Sequence, residues 1–457
     1  MSEATAGTAA GPATSHPLTL EQRMGLSRDK IRRWRLTHSW RIRGPLDADR
    51  LRAALALVVE RHDPLRMRLV RTPDGIRQTF APATAAHPWF GRSTVTPDGL
   101  AAAVAEAVGH RLDLFGTGPL RADLLTAAPD DHVLVLTIHH MAWDAWSAGV
   151  LWRDLWTVYA ANAPDLAPLR TGYPRFADAQ AAHGTVPTPA QLAHWRQVVG
   201  ESPGPWPAPG SAPPPVRSED GSGGARLVAA RPGPGFPRRL GAFARAARVT
   251  AASATTALCL LAVGRALEQP SLLANYQYHG RDREEEWDLV GMFCRRFPVR
   301  AALDEGTELG EFARRVQRGL TEGAARSAAP FTLPGLRRLL EDEQPADAPA
   351  VAWHPGLSPI TVNVVPGRMR GSPAGRTPAP GLTVEPYAAA EPGPEPVARY
   401  AGQLWVIATT DPEPVFYADY DRTVVSDTAV QQVSGHLALL TSVADAAAAA
   451  RRLGDLG

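Results

Sequence analysis

Lysine is almost missing from this 457-residue chain: Lys30 is the single lysine among 48 basic residues. With 43 prolines, 40 glycines and abundant alanine, that usage reads as GC-rich coding bias and points to a bacterial source. Cysteine is scarce as well. Cys259 and Cys294 are too few for a disulfide framework or a four-thiolate zinc site, so no metal site is expected and a reducing cytoplasm is. Neither sign of charge dominates: 48 basic against 46 acidic residues leave a formal +2. That balance gives no electrostatic ground for a nucleic-acid partner or an anionic membrane. Long apolar runs are lacking. The longest, residues 249–264, is broken by Thr250, Ser253, Thr255 and Thr256, whereas a spanning helix needs about 20 apolar residues. The opening MSEATAGTAAGPATSH has neither the basic flank nor the apolar stretch of a signal peptide, and residues 1–16 read as a flexible tail.

What the sequence does contain is alternating helices and strands, in a length suited to two lobes of about 150–250 residues each. Leu51, Leu55, Val58 and Val59 recur at helical spacing behind Asp47, a capping residue. Residues 132–140 form a Val/Leu/Ile-rich run expected to be a buried strand, followed by a helical face of Leu151, Leu155, Val158 and Tyr159. Further helices are expected near 237–247, 250–267, 308–322 and 427–447. Strands are expected near 271–278, 358–365, 403–409 and 413–418. Residues 202–225 are too rich in proline and glycine for regular structure and read as a linker between a first lobe (17–201) and a second (226–457). Residues 366–381 read as a long excursion from a sheet. The fold class is mixed α/β.

Chemistry concentrates at the junction of the buried strand and the next helix, His139-His140-Met141-Ala142-Trp143-Asp144-Ala145-Trp146-Ser147. A neutral imidazole there can take a proton from an attacking amine or hydroxyl. Read from the residues alone, two alternatives stay open: the histidines as ordinary buried groups, and Asp144 as a helix cap. Strand alternation does not choose between the histidines, since both faces of the strand are apolar.

At this point the chain resembles the condensation domains of nonribosomal peptide synthetases, whose core motif is His-His-x-x-x-Asp-Gly. Weaker elements occur in the family's order. They are residues 17–23, Arg61-His62-Asp63-Pro64-Leu65-Arg66, and Asp113-Leu114-Phe115 with Gly118-Pro119-Leu120. Tyr173 with Phe176-Ala177 and Gln180 follows, then Gly280-Arg281, Val290-Gly291-Met292-Phe293 and Pro298-Val299-Arg300. The resemblance implies two chloramphenicol acetyltransferase-like lobes in a V-shaped pseudo-dimer around a tunnel, with crossover loops near 279–300 and 366–381. It assigns His140 as the catalytic residue and His139 as structural, and implies an ion pair between Asp144 and Arg281. Ala145, Trp146, Ser147, Asn363 and Arg295 become candidates for lining the tunnel. Arg23, Arg28, Arg32, Arg33 and Trp34 become candidates for docking a carrier protein.

The reaction so implied joins an acyl or aminoacyl thioester to a small amine or alcohol. The donor is held on the phosphopantetheine arm of a carrier protein, and no bound cofactor is required. No adenylation motif or carrier serine accompanies the unit, so action in trans is expected. Rival readings are a coenzyme-A-dependent acyltransferase, an epimerase and an inactive carrier-binding platform. Epimerase chemistry is disfavoured because Gln277, an amide, stands where that group has an acid able to move a proton. Four positions depart from the family pattern: Ala145 replaces a glycine, Arg175 an acid, and Arg295-Arg296 an Asn-Thr pair.

Overall fold

The structure is a computed structural model. It describes residues 14–23, 26, 34–82, 89–161, 166–183, 188–199, 224–327, 360–365, 379–387, 404–409, 414–422 and 425–456. The chain divides into two compact units. The first comprises residues 1–183, 283–292 and 371–389, and the second 184–282, 293–370 and 390–457.

In unit 1 the strands are β1 (Arg35–Arg43), β2 (Met67–Thr72), β3 (Gly75–Phe80), β4 (Phe90–Thr94), β5 (Leu120–Ala128), β6 (Asp131–His139) and β11 (Thr383–Pro386). Five of these form one sheet in the order β11-β1-β6-β5-β4, while β2 and β3 make a separate hairpin. The helices are α1 (Leu20–Arg23), α2 (Ala48–Arg61), α3 (Leu100–Gly109), α4 (Ala145–Ala160) and α5 (Tyr173–Ala182). Asp47 caps α2 by accepting from the Asp49 and Arg50 N–H groups. The expected stripe Leu51, Leu55, Val58 and Val59 is buried, packed in one core with Leu151, Leu155, Val158 and Tyr159 of α4. Central β6 is covered on both faces: Leu134, Leu136 and Ile138 join that core, and Val133 and Val135 pack under α3. Its unbroken apolar run follows from this double burial.

Unit 2 is built on one sheet in the order β7-β13-β12-β10-β8-β9. Its strands are β7 (Gly224–Ala230), β8 (Ser271–Tyr278), β9 (Arg295–Ala302), β10 (Ile360–Val365), β12 (Leu404–Thr409) and β13 (Val415–Asp421). Its helices are α6 (Pro189–Val199), α7 (Phe236–Ala247), α8 (Ala251–Ala266), α9 (Leu309–Arg326) and α10 (Asp427–Val443). Helix α8 is buried on all sides from Ser253 to Gly264, which is why its sequence lacks a polar face. Among the described residues no single helix is long and apolar enough to cross a membrane.

The lobe boundaries read from the sequence are revised at two places. Helix α6, placed before the linker in the first lobe, belongs to unit 2, where the Arg300 guanidinium donates to the Val198 carbonyl at 2.8 Å. Of the crossover loops read near 279–300 and 366–381 in the second lobe, residues 283–292 and 379–381 fall in unit 1, where the chain after the second loop forms edge strand β11 against β1. Of the linker, residues 202–223 lie outside the described residues, while Gly224 and Ala225 already belong to β7. The tail to residue 13 and residues 366–378 also lie outside them.

The Arg61-His62 element holds α2 to α4. Asp154 is buried and accepts from His62 Nε2 (3.1 Å), Arg61 Nε (3.0 Å) and Arg153 Nε (2.8 Å). Burial lowers the His62 pKa below its ordinary 6.5, with the Asp154 hydrogen bond offsetting part of that shift. Folded His62 therefore stays neutral at a pH where the unfolded chain protonates it, and stability falls as pH drops through about 6.5. Urea unfolding at a series of pH values should show this loss in the wild type and a smaller loss in His62→Gln. Parallel curves for the two proteins would refute it.

Candidate active site

The strand–helix junction is shaped by its own hydrogen bonds. His139 ends β6 and is 1% exposed, and its Nδ1 accepts the Met141 N–H at 3.2 Å. With Nδ1 as acceptor, the ring proton sits on Nε2. The His139 N–H donates to the Pro119 carbonyl at 2.7 Å, which gives the Gly118-Pro119-Leu120 element its role. His140 opens a single 3₁₀ turn, residues 140–142, and is half-buried. Strand alternation left the two histidines equivalent; the turn separates them. The His139 imidazole is spent on the backbone, and the His140 ring is half-buried at the start of the turn.

Trp34 immediately precedes β1 and lies opposite His140, because β1 and β6 pair antiparallel with Arg35 against His139. Its carbonyl accepts the His140 N–H at 2.8 Å. Its indole stacks on the His140 ring with centroids 4.3 Å apart and planes inclined by 18°. The sequence reading had put Trp34 on a docking face. Strand pairing places it against the candidate catalytic residue instead. Arg23 is exposed, and Arg28, Arg32 and Arg33 lie outside the described residues.

Helix α4 starts at Ala145 with Asp144 as its N-cap. Asp144 Oδ1 accepts the Ser147 N–H at 2.9 Å and lies 2.8 Å from Ser147 Oγ. That hydroxyl lies 2.9 Å from the Gly291 carbonyl oxygen and accepts the Gly291 N–H at 3.0 Å. Ser147 thus clasps segment 283–292 to the first turn of α4. It is fully buried, which removes it from the substrate-lining candidates. Trp146, half-buried, donates its indole N–H to the Trp287 carbonyl at 2.8 Å in the same segment. Ala145 is exposed at the first helical position. Its φ is not positive, so its backbone conformation does not call for the family glycine.

The weaker motifs support this turn. Gln22 is buried, and its amide nitrogen lies within hydrogen-bond distance of the Met141 carbonyl (3.1 Å) and Gln78 Oε1 (3.0 Å). Gln180 holds the opening residues in turn, accepting the Leu20 N–H at 2.6 Å and donating to Glu21. Tyr173 donates its hydroxyl to the Met292 carbonyl at 3.0 Å. Arg175 is exposed, so the missing acid at that position leaves the contacts of Tyr173 and Gln180 intact.

In unit 2, Gly280 has φ +73° and faces the Phe293 carbonyl oxygen so closely that any β-carbon would collide with it. Arg281 is buried with its guanidinium 4.2 Å from the centre of the Phe293 ring, and its N–H donates to His279 Nδ1 at 3.1 Å. Arg295, expected to line a tunnel, is instead occupied within the unit. It donates to Asp282 Oδ2 (2.5 Å), Ser327 Oγ (2.9 Å) and the Gly280 carbonyl (3.3 Å). Burial of its charge requires those partners. Arg296 lies over the Trp405 ring. Asn363 is half-buried on β10, on the opposite face from the core-facing Ile360, Val362 and Val364.

The clasp yields a stability test. Ser147→Ala leaves the buried Asp144 carboxylate and Gly291 N–H short of a partner, a cost of about 1–3 kcal/mol. Ala145→Gly, at an exposed helical position, should cost no more than about 1 kcal/mol. Thermal melting should show the larger drop for Ser147→Ala, and equal melting temperatures would contradict the clasp.

Comparison with known proteins assigns the chain to a family. The model described as Condensation domain matches residues 17–348. The dimodular nonribosomal peptide synthase of Bacillus subtilis (strain 168) is 31% identical over 293 residues, which is 61% of this chain but 12% of that protein. The fold is similar to the X-domain from teicoplanin biosynthesis, with TM-score 0.72 and 23% identity over 98% of this chain and 99% of that one. It is also similar to the first condensation domain of the CDA synthetase, with TM-score 0.70 and 20% identity over 97% and 99%. By sequence match and fold together, the chain belongs to the condensation-domain family of nonribosomal peptide synthesis.

Proposed function

We propose that this protein condenses an acyl or aminoacyl group, delivered as a thioester on a carrier protein, with an amine or alcohol, and that His140 is its catalytic residue. The observation that carries the reading is the division of labour in the 140–142 turn. His139 is buried and spent on the Met141 N–H, whereas His140 is half-buried at the turn's start. A neutral His140 takes the proton as the nucleophile adds to the thioester carbonyl. The new C–N or C–O bond forms, the tetrahedral centre collapses, the C–S bond breaks, and the proton leaves with the thiol.

Carrier and coenzyme A present the same phosphopantetheine arm and differ in the body behind it. A folded carrier adds a protein contact, for which exposed Arg23 together with Arg28, Arg32 and Arg33 is the proposed basic set. The test uses a panel of acyl and aminoacyl groups loaded on a separately supplied carrier protein and offered to primary amines and alcohols. Products are read by mass spectrometry. With the best pair, His140→Ala should lower turnover at least about a hundredfold. Near-wild-type turnover in that variant would remove the catalytic assignment. The carrier-bound donor should be used at least about tenfold more efficiently than its coenzyme A ester, by kcat/KM. Equal use, or preference for coenzyme A, would move the protein to the acyltransferase reading.

A further inference from the structure

We infer that Trp34 is a positioning residue for catalysis: its indole face sets the plane of the His140 imidazole. The inference rests on His140 being the base and concerns how that base is aimed. An imidazole lone pair lies in the plane of its ring, so a proton can be taken only along directions in that plane. Fixing the plane therefore fixes the approach from which a nucleophile can be deprotonated. His139 has its orientation set by the Met141 N–H bond to its ring nitrogen. His140 has a ring stack among its contacts. The Trp34 ring lies 4.3 Å from it, near-parallel at 18°, and covers one imidazole face while leaving the ring edge uncovered by the indole. Turning the imidazole about its Cβ–Cγ bond would drive it into the indole or lose the stack.

The backbone supports the same pairing. The 2.8 Å hydrogen bond from the His140 N–H to the Trp34 carbonyl ties the two residues together, and the β1–β6 register fixes them opposite each other. A residue serving only to fill space at position 34 would need bulk. A residue orienting the ring needs a flat face.

Substitutions at Trp34 separate these two roles. Trp34→Leu keeps apolar bulk without a face, and Trp34→Met does the same should leucine fail to fold. Trp34→Phe keeps a smaller face. With the carrier-bound donor and acceptor of the assay above, Trp34→Leu should lower kcat about tenfold or more with KM nearly unchanged, and Trp34→Phe should recover most of the rate. In a His140→Ala background, Trp34→Leu should cause no further loss, because the group it aims is gone. A kcat within about twofold of wild type in Trp34→Leu, with His140→Ala inactive, overturns the positioning role and leaves the base assignment standing. An equal further loss in the His140→Ala background overturns it as well, since Trp34 would then act through stability. Full activity in His140→Ala alone would instead remove the base, and the positioning role with it.

Discussion

The antiparallel register between β1 and β6 is the constraint on which the site in unit 1 depends. It sets Arg35 opposite His139 and so sets Trp34 opposite His140. Side chains alternate along a strand, so a slip of one residue would turn every core-facing group to the other face. Here a slip of β1 would cost the burial of Trp40 and Ile42, which alternate with the more exposed Arg41 and Arg43. The aromatic stack on His140 is thus enforced by a hydrophobic core much larger than the site. Alignment of the proposed catalytic side chain is useful only if the surrounding structure holds it, and this register supplies that hold.

The second support is the first turn of α4. From the sequence Asp144 reads as a helix cap or, by the resemblance, as an ion-pair partner of Arg281, and the structure shows the cap. The cap also does more than end a helix, because the Ser147 hydroxyl carries it on to Gly291. Chain segments far apart in sequence converge on the same few backbone groups. Gln22 reaches the Met141 carbonyl, Gln180 holds residues beside Gln22, and Tyr173 meets the Met292 carbonyl. Motifs that are each weak in sequence are thereby explained as partners of one another.

Much of the fold was legible in the sequence, for physical reasons that also mark where legibility stopped. The helix behind Asp47, the buried strand ending at His139 and the strand at Ser271–Tyr278 carry strong periodicity or unbroken apolar runs. Strand β1 does not: Arg35, His38, Arg41 and Arg43 interrupt its apolar residues, and its place beside β6 is a long-range pairing that no local pattern encodes. Trp34 was visible as a residue near arginines and was read as surface for that reason, while its partner lies 106 positions away (140 − 34). Arg295 and Ser147 were read as lining a substrate path because they stand in or beside motifs. Their burial among Asp282, Ser327, Asp144 and Gly291 shows that a motif position can be spent on internal hydrogen bonds. Only the order of motifs in the whole chain, matched by the family over residues 17–348, gave the histidine pair its chemical meaning.

The central claim is that two adjacent histidines divide their work, His139 holding the turn and His140 meeting substrate. The most direct measurement is single-turnover acyl transfer from a loaded carrier protein, followed by intact-protein mass spectrometry, with His139→Gln and His140→Gln each compared against their own melting curves. The account predicts that His140→Gln melts like the wild type and fails to transfer. It predicts that His139→Gln melts lower while its folded fraction still transfers. The reverse pattern, with transfer lost in a stable His139→Gln and retained in His140→Gln, would contradict it.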